Sequence, residues 1–327
     1  MLARSRALTL LAAAAIVALP FGISNPYALS IIILALLYAY LALCWNIIGG
    51  IAGQLSLGHA AWFGIGAYTS TVLFLHWGIS PWIGMLAGAV VAAAGAALIG
   101  TPCFRLRGAY FALATIAATM ILRILVENSN EWLGGPRGLD VKLLRDAPLQ
   151  FQYTRKEFYY AIVVALTAAG LLVNRAVMRS RFGHYLVAIR YDQEAALALG
   201  VDVQRCKVTA LALSAALTAI GGTFYAQFVL FINPDEMFSI SLSIQIAVIC
   251  IIGGRGTLWG PVLGALVLLL VEEAARRVTG GMAGADMIVY SLVLMIVISV
   301  EPRGMLAILD RLRPPSRAQP AAHGEVP

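Results

Sequence analysis

Stretches of about twenty mostly apolar residues recur along the chain, near 7–24, 28–48, 60–77, 82–101, 108–126, 158–174, 207–227, 240–253, 257–271 and 285–300. A helix needs about 20 such residues to cross the hydrocarbon core of a bilayer. Backbone polar groups must also be paired internally there. The pattern predicts an all-α polytopic membrane protein with about ten transmembrane helices. Composition agrees: 61% of residues are apolar and 12% charged, against about 25% charged in a soluble domain. The runs at 240–253 and 257–271 are short and flank a Gly-rich break, so a rival count of eight or nine fuses or drops them. Arg4 and Arg6 before the first run suit a signal peptide. More spans follow at once, and the run is read as a retained first span.

An even span count puts both termini on one side. With cytoplasmic N- and C-termini, most of the 23 basic residues fall in inside segments and most of the 16 acidic ones outside, as the positive-inside rule requires. The densest basic loop, residues 175–206, then faces the cytoplasm. A transmembrane domain is expected over 1–310. The Pro-rich tail 311–327 is expected to be disordered and cytoplasmic.

The chain offers no sign of catalysis. It contains no GxxxxGK[ST], HExxH or GxSxG. His59, His76, His184 and His323 are far apart, and so are Cys44, Cys103, Cys206 and Cys250. The cysteines read as small buried hydrophobes. No catalytic or metal-binding residue is assigned. No basic tract with interleaved aromatics points to nucleic acid.

Two glycine-rich segments interrupt the apolar pattern, "IIGGIAGQLSLGHAAWFGIGA" (47–67) and "IIGGRGTLWGPVLGA" (251–265). Gly49, Gly50 and Gly53 in the first, and Gly253, Gly254 and Gly256 in the second, are read as packing or chain-break positions. Broken backbone at membrane depth must face protein or a water-filled cavity. Both segments open with IIGG, which hints at a duplication. In the first, Gln54, Ser56 and His59 are polar groups among apolar ones. Either they line a solute pathway or gate, or they tie helices together by hydrogen bonds. Gly64, Gly66 and Ala67 suit close helix packing.

The remaining puzzle is "RFGHYLVAIRYDQEAALALGVDVQRCK" (181–207), a polar stretch between two apolar runs. Arg190 and Tyr191 lead into Asp192, a good N-cap. Glu194 falls in the first turn, where a carboxylate suits the helix dipole. "EAALAL" favours helix, and Gly200 stands where a left-handed cap would stop it. Ala195, Ala196 and Leu199 are expected to share a shallow face that fits another protein's groove. An amphipathic helix resting on lipid headgroups is the alternative. Arg105 and Arg107 are either snorkelling topology determinants or contacts to a partner.

At this point the sequence resembles the permease subunits of ABC importers for branched-chain amino acids, the LivM-type family, over roughly residues 28–305. "EAALALG" matches the loop by which such permeases engage their ATPases, at Glu194, Ala195, Ala196 and Gly200. "AIRYDQEAA", "GGIAGQLSLGHAAWFGIGAY", "RLRGAYFALATIA", "GGPRGL" and "GGRGTLWGPVLGA" match further family blocks in order. His184 and Gln193 depart from the family's usual Arg and Glu, each removing a charge from the loop.

The resemblance implies a subunit of the bacterial inner membrane that works with two cytoplasmic ATPases, a related second permease and a periplasmic solute-binding protein. It implies no cofactor in this chain, ATP being used by the partners. It also assigns coupling to Arg190, Asp192, Glu194, Ala195, Ala196, Leu199 and Gly200. Related permeases also serve urea, short amides and other small organic solutes. The outer loops 127–157 and 233–238 are either docking sites for the binding protein or plain connections. An ion-coupled secondary transporter is the competing class, but it calls for carboxylates at the bilayer midplane, and the expected spans place every Asp and Glu in loops or near span ends. A structural subunit without a pathway is a further alternative.

Overall fold

The computed structural model describes residues 25–144, 146–278 and 292. The expected spans 7–24 and 285–300, apart from residue 292, and the tail 311–327 lie outside the described residues. Within them the chain is built of helices: α1 (Pro26–Trp45), α2 (His59–Trp77), α3 (Pro81–Cys103), α4 (Ala109–Glu127), α5 (Asn130–Leu133), α6 (Lys156–Arg179), α7 (Arg181–Tyr191), α8 (Gln193–Ala198), α9 (Val203–Val229), α10 (Pro234–Met237), α11 (Ile240–Gly254) and α12 (Gly260–Val278). Six segments are long and apolar enough to cross a membrane: Pro26–Ile51, Pro81–Cys103, Ala109–Glu127, Lys156–Arg179, Val203–Val229 and Pro234–Gly254. The chain is thus an all-α polytopic membrane protein.

Eight of the expected spans coincide with long helices, although two of these helices fall outside that set of six. α2 carries His59, Ser70 and Thr71 inside the bundle. α12 ends in Glu272, Glu273, Arg276 and Arg277, joined by i,i+4 ion pairs. The runs 240–253 and 257–271 do not fuse, because Gly254 (φ 119°) and Gly256 (φ 77°) break the chain between α11 and α12.

Helix starts follow from local chemistry. Asn25 accepts from Tyr27 N and precedes Pro26. Ser80 does the same for Trp82 N ahead of Pro81. Proline suits a first turn because the hydrogen it lacks would be unpaired there. α2 ends on Gly78 in the left-handed conformation.

Small residues set the packing. The buried residues of α3 include Gly84, Gly88, Ala92, Ala96 and Gly100, one every four residues. This stripe lets backbones approach closely, and α3 lies against α2 and α9. A Cβ added to Gly66 of α2 would stand 2.0 Å from Ala219 O of α9. The outward faces are apolar: Leu86, Val90 and Leu98 of α3 and Leu113, Ile121 and Leu125 of α4 are exposed. Such faces suit lipid or a neighbouring membrane subunit. α1 packs on α6, α11 and α12.

The connections gather at two ends. At one end, two short strands pair antiparallel, β1 (Leu139–Asp140) with β2 (Phe231–Ile232). Arg123 of α4 joins Glu127 and Asp235 there. At the other end, Gln204 Nε2 donates to Thr101 O at 2.7 Å, and Arg107 meets Glu194 at 2.9 Å. Loops assigned to one side by charge therefore cluster together.

Candidate functional site

The loop end is organised by three acidic or hydroxyl caps. Ser180 accepts from Gly183 N and starts α7. Asp192, in extended backbone, closes α7 and caps α8 by accepting from Glu194 N at 2.9 Å and Ala195 N at 3.1 Å. Gly200 has φ 81°, and Val201 N turns back to Ala196 O at 3.0 Å. Asp202 then caps α9 through Arg205 N.

α8 does not present the expected face. Ala196 is buried among Ile189 and Val203, whereas Ala195 and Leu199 are exposed. The helix has only six residues and rests on its neighbours through Ala196, so Ala196 and Leu199 part company. Tyr191 (86% exposed), Leu197 (51%) and Leu199 (84%) form the apolar part of the outward surface instead. Glu194 also points out and pairs with Arg107, both side chains being about 70% exposed. A pair so exposed contributes about 0–1 kcal/mol. Gln193 turns inward, where its Oε1 accepts from Lys207 Nζ at 2.9 Å. Lys207 is 2% exposed and lies 5.7 Å from the centre of the Phe104 ring.

Arg190 is exposed, yet its side chain reaches the glycine-rich segments. Its Nη1 donates to Gly50 O at 2.8 Å. Its stem covers Gly53, where an added Cβ would lie 2.6 Å from Arg190 Cγ, and its guanidinium covers Gly256 at 2.5 Å. One side chain of the loop thus touches both glycine breaks.

The breaks themselves meet at Asn46. Here α1 widens into a π-helical turn, Asn46–Ile51, a form that often marks functional sites. Asn46 Nδ2 donates to Asn174 Oδ1 (3.1 Å) and Thr257 O (3.0 Å). Its Oδ1 accepts from Gly256 N (2.8 Å) and Cys250 Sγ (3.3 Å). All four bonding positions of the amide are used, and the side chain is fully buried. Asn174 in turn donates to Leu43 O and Gly170 O. A Cβ on Gly50 would strike Asn46 Oδ1 at 1.9 Å and Gly256 N at 2.6 Å. In the second segment, a Cβ on Gly253 would lie 1.7 Å from Gly260 O. Gly49 packs under the Trp45 ring, and Gly254 takes φ 119°.

The polar block after the first break is a chain of hydrogen bonds. Ser214 Oγ donates to Cys44 O at 2.7 Å. Its one hydrogen is thereby used, so it accepts from His59 Nε2 at 2.8 Å. That leaves His59 Nδ1 to accept from Ser56 Oγ at 3.3 Å. The tautomer follows from the network. Trp45 Nε1 donates to Ser56 O, and Ala60 N to Ser243 Oγ. Gln54 Nε2 reaches only Ala52 O. His59 and Ser56 are buried and connect α1, α2 and α9. Among the described residues, no group of three His, Cys, Asp or Glu is placed to hold a metal ion.

Asn46, Asn174 and Thr257 are members of this site that sequence reasoning missed. A buried polar residue in an apolar run was the available signal for the two asparagines.

The chain matches the family model described as branched-chain amino acid transport system / permease component over residues 27–298. It is 31% identical over 282 residues to the high-affinity branched-chain amino acid transport system permease protein LivM of Escherichia coli K12, covering 80% of this chain and 66% of that protein. It is 32% identical over 283 residues to the protein of the same name in Salmonella typhimurium, again covering 80% and 66%. The nucleoside ABC transporter permease protein NupC of Lactococcus lactis is 28% identical over 223 residues, covering 61% of this chain and 68% of that protein. The chain thus spans 66% of the length of the two enterobacterial relatives. No solved structure matches.

Proposed function

The chain belongs to the branched-chain amino acid transport system permease family, and from that premise we propose that it is the membrane subunit of an ATP-driven importer for branched-chain, hydrophobic amino acids. It sits in the bacterial inner membrane with about ten spans and cytoplasmic termini. Two ATPase subunits engage it from the cytoplasm at α8. A second, related permease completes the pathway, and a periplasmic binding protein delivers solute at the end that carries the strands. ATP is used by the partners, and this chain contributes no cofactor or catalytic group.

The observation that carries this reading is the hydrogen bond from Arg190 to Gly50. An exposed apolar patch outside the membrane marks a partner contact, and Tyr191, Leu197 and Leu199 form one on the loop. Arg190 connects that loop to the point where the two broken helices meet. A displacement of α8 by its ATPase is therefore transmitted to the break, where Asn46, Gly50 and Gly256 close the path between α1 and α11. Gln54, Ser56 and His59 border this gate and hold its α1–α2–α9 side.

The test is uptake by vesicles containing the chain and its partner subunits. Leucine accumulation that requires ATP and the ATPases is expected. Accumulation by the chain alone, or driven by an ion gradient, overturns the reading. Nucleosides are the second solute class, because one relative is named for them. Adenosine uptake in place of leucine uptake would select it.

A further inference from the structure

A cavity of about 290 Å³ lies between α1, α2, α9, the short helix α10 and α11. A cavity of about 150 Å³ is enough to hold benzene, so a six-carbon solute fits with water to spare. Its lining combines apolar Leu37, Leu41, Phe63 and Leu242 with polar Tyr225, Glu236 and Gln245. The side chains of those three polar residues make no hydrogen bond or ion pair among the described residues, whereas neighbouring Asp235 is engaged by Arg123. Glu127 shares the same arginine. Arg123 is thus shared by two carboxylates, and Glu236 adds a negative charge to the lining that no ion pair among the described residues offsets, which favours a cation there.

The position is also informative. Leu37 and Leu41 precede Asn46 on α1, and Leu242 and Gln245 precede Cys250 and Gly253 on α11. Leu41 and Asn46 are about 7.5 Å apart along the helix at 1.5 Å per residue. Two of the helices that wall the cavity, α1 and α11, are those whose breaks meet at Asn46, so the cavity and that closure share the same pair of helices.

We infer that this cavity is the entry site for a zwitterionic amino acid with an apolar side chain, an inference that rests on the transport reading above. Glu236 receives the ammonium group. The Tyr225 hydroxyl and Gln245 amide donate to the carboxylate. Leu37, Leu41, Phe63 and Leu242 take the side chain. A mostly apolar pocket with a few placed polar groups is the usual form of a small-molecule site.

The experiment places a thiol in the cavity as Leu242→Cys and follows its labelling by a membrane-impermeant maleimide in membranes holding the whole transporter. The unaltered chain, with its own four cysteines, is the control. Leucine is expected to slow labelling severalfold, and 4-methylpentanoate, which lacks the ammonium group, to leave it unchanged. Adding Glu236→Gln is expected to raise the leucine concentration needed for protection about tenfold, the loss of one charge-assisted hydrogen bond. Labelling that leucine does not slow, or that 4-methylpentanoate slows equally, overturns the site. If that happens while the unaltered transporter still accumulates leucine, the transport reading stands and only the site falls. Protection by leucine without ATP-dependent uptake would support the site and overturn the transport reading.

Discussion

Arg190 and Gly50, 140 residues apart in sequence, are joined by a 2.8 Å hydrogen bond from a guanidinium at the end of α7 to a carbonyl in the π-helical turn after α1. The turn exposes that carbonyl because its backbone leaves the regular α-helical pattern. The guanidinium also lies over Gly256, so the loop cannot move far without pulling on both breaks.

Replacing Arg190 with Ala is expected to uncouple the transporter. Charge-assisted hydrogen bonds contribute about 1.5–3 kcal/mol, so leucine uptake should fall about tenfold or more while ATPase subunits still co-purify and hydrolyse ATP. Arg190→Lys keeps the charge and loses the fork geometry, and should fall between. Unchanged uptake in Arg190→Ala would remove the link from the mechanism.

Asn46→Leu removes four hydrogen bonds at once. Gly256 N and Thr257 O are left without the partner they have now, at about 1–3 kcal/mol for each buried group left unpaired. The thermal midpoint of the detergent-solubilised protein should drop by several degrees. A midpoint equal to that of the unaltered chain would show that water or repacking replaces the amide.

Two glycines make a contrast. Gly50→Ala places a methyl group against the backbone nitrogen of Gly256, which cannot swing away as a side chain can. Gly78→Ala meets nothing within 4 Å, although φ is 65°, and should cost only about 1–2 kcal/mol of left-handed strain. Yield of folded protein on size exclusion is expected to fall sharply for the first and modestly for the second. The reverse order would mean that the two breaks do not meet as described.

Glu194→Lys should leave membrane insertion intact, because the Asp192 cap and the buried Ala196 are untouched and the Arg107 pair is exposed. Co-purification with the ATPases should be lost. Leu199→Asp should weaken it for a different reason, by placing charge on the apolar patch. Retention of both ATPase subunits by both variants would move the contact elsewhere on the loop.

The sequence carried much of this because the signals were local. Asp192, Glu194 and Gly200 each act within one helical turn, and each stands where its residue type suggests. The long helices were equally plain, since their apolar length is set by the bilayer. What escaped was everything that depends on distant neighbours. The inward turn of Ala196 is set by Ile189 and Val203 rather than by helix period alone. The likeness of the two IIGG segments was visible, yet nothing along the chain said that Gly50 meets Gly256 or that Asn46 joins them. Arg190 was recognised as part of the loop, but its partner at Gly50 lies on another helix. Gln193 was noticed as a missing charge, and its bond to Lys207 shows it facing the bundle, a direction that composition does not encode.

The pairing of β1 with β2 has a mechanical consequence. It stitches the long segment after α4 to the connection after α9, and the Arg123 bridge to Asp235 fastens the same corner. A push delivered at the opposite tip therefore meets a pinned corner, which favours rocking about that seam over sliding along the membrane normal.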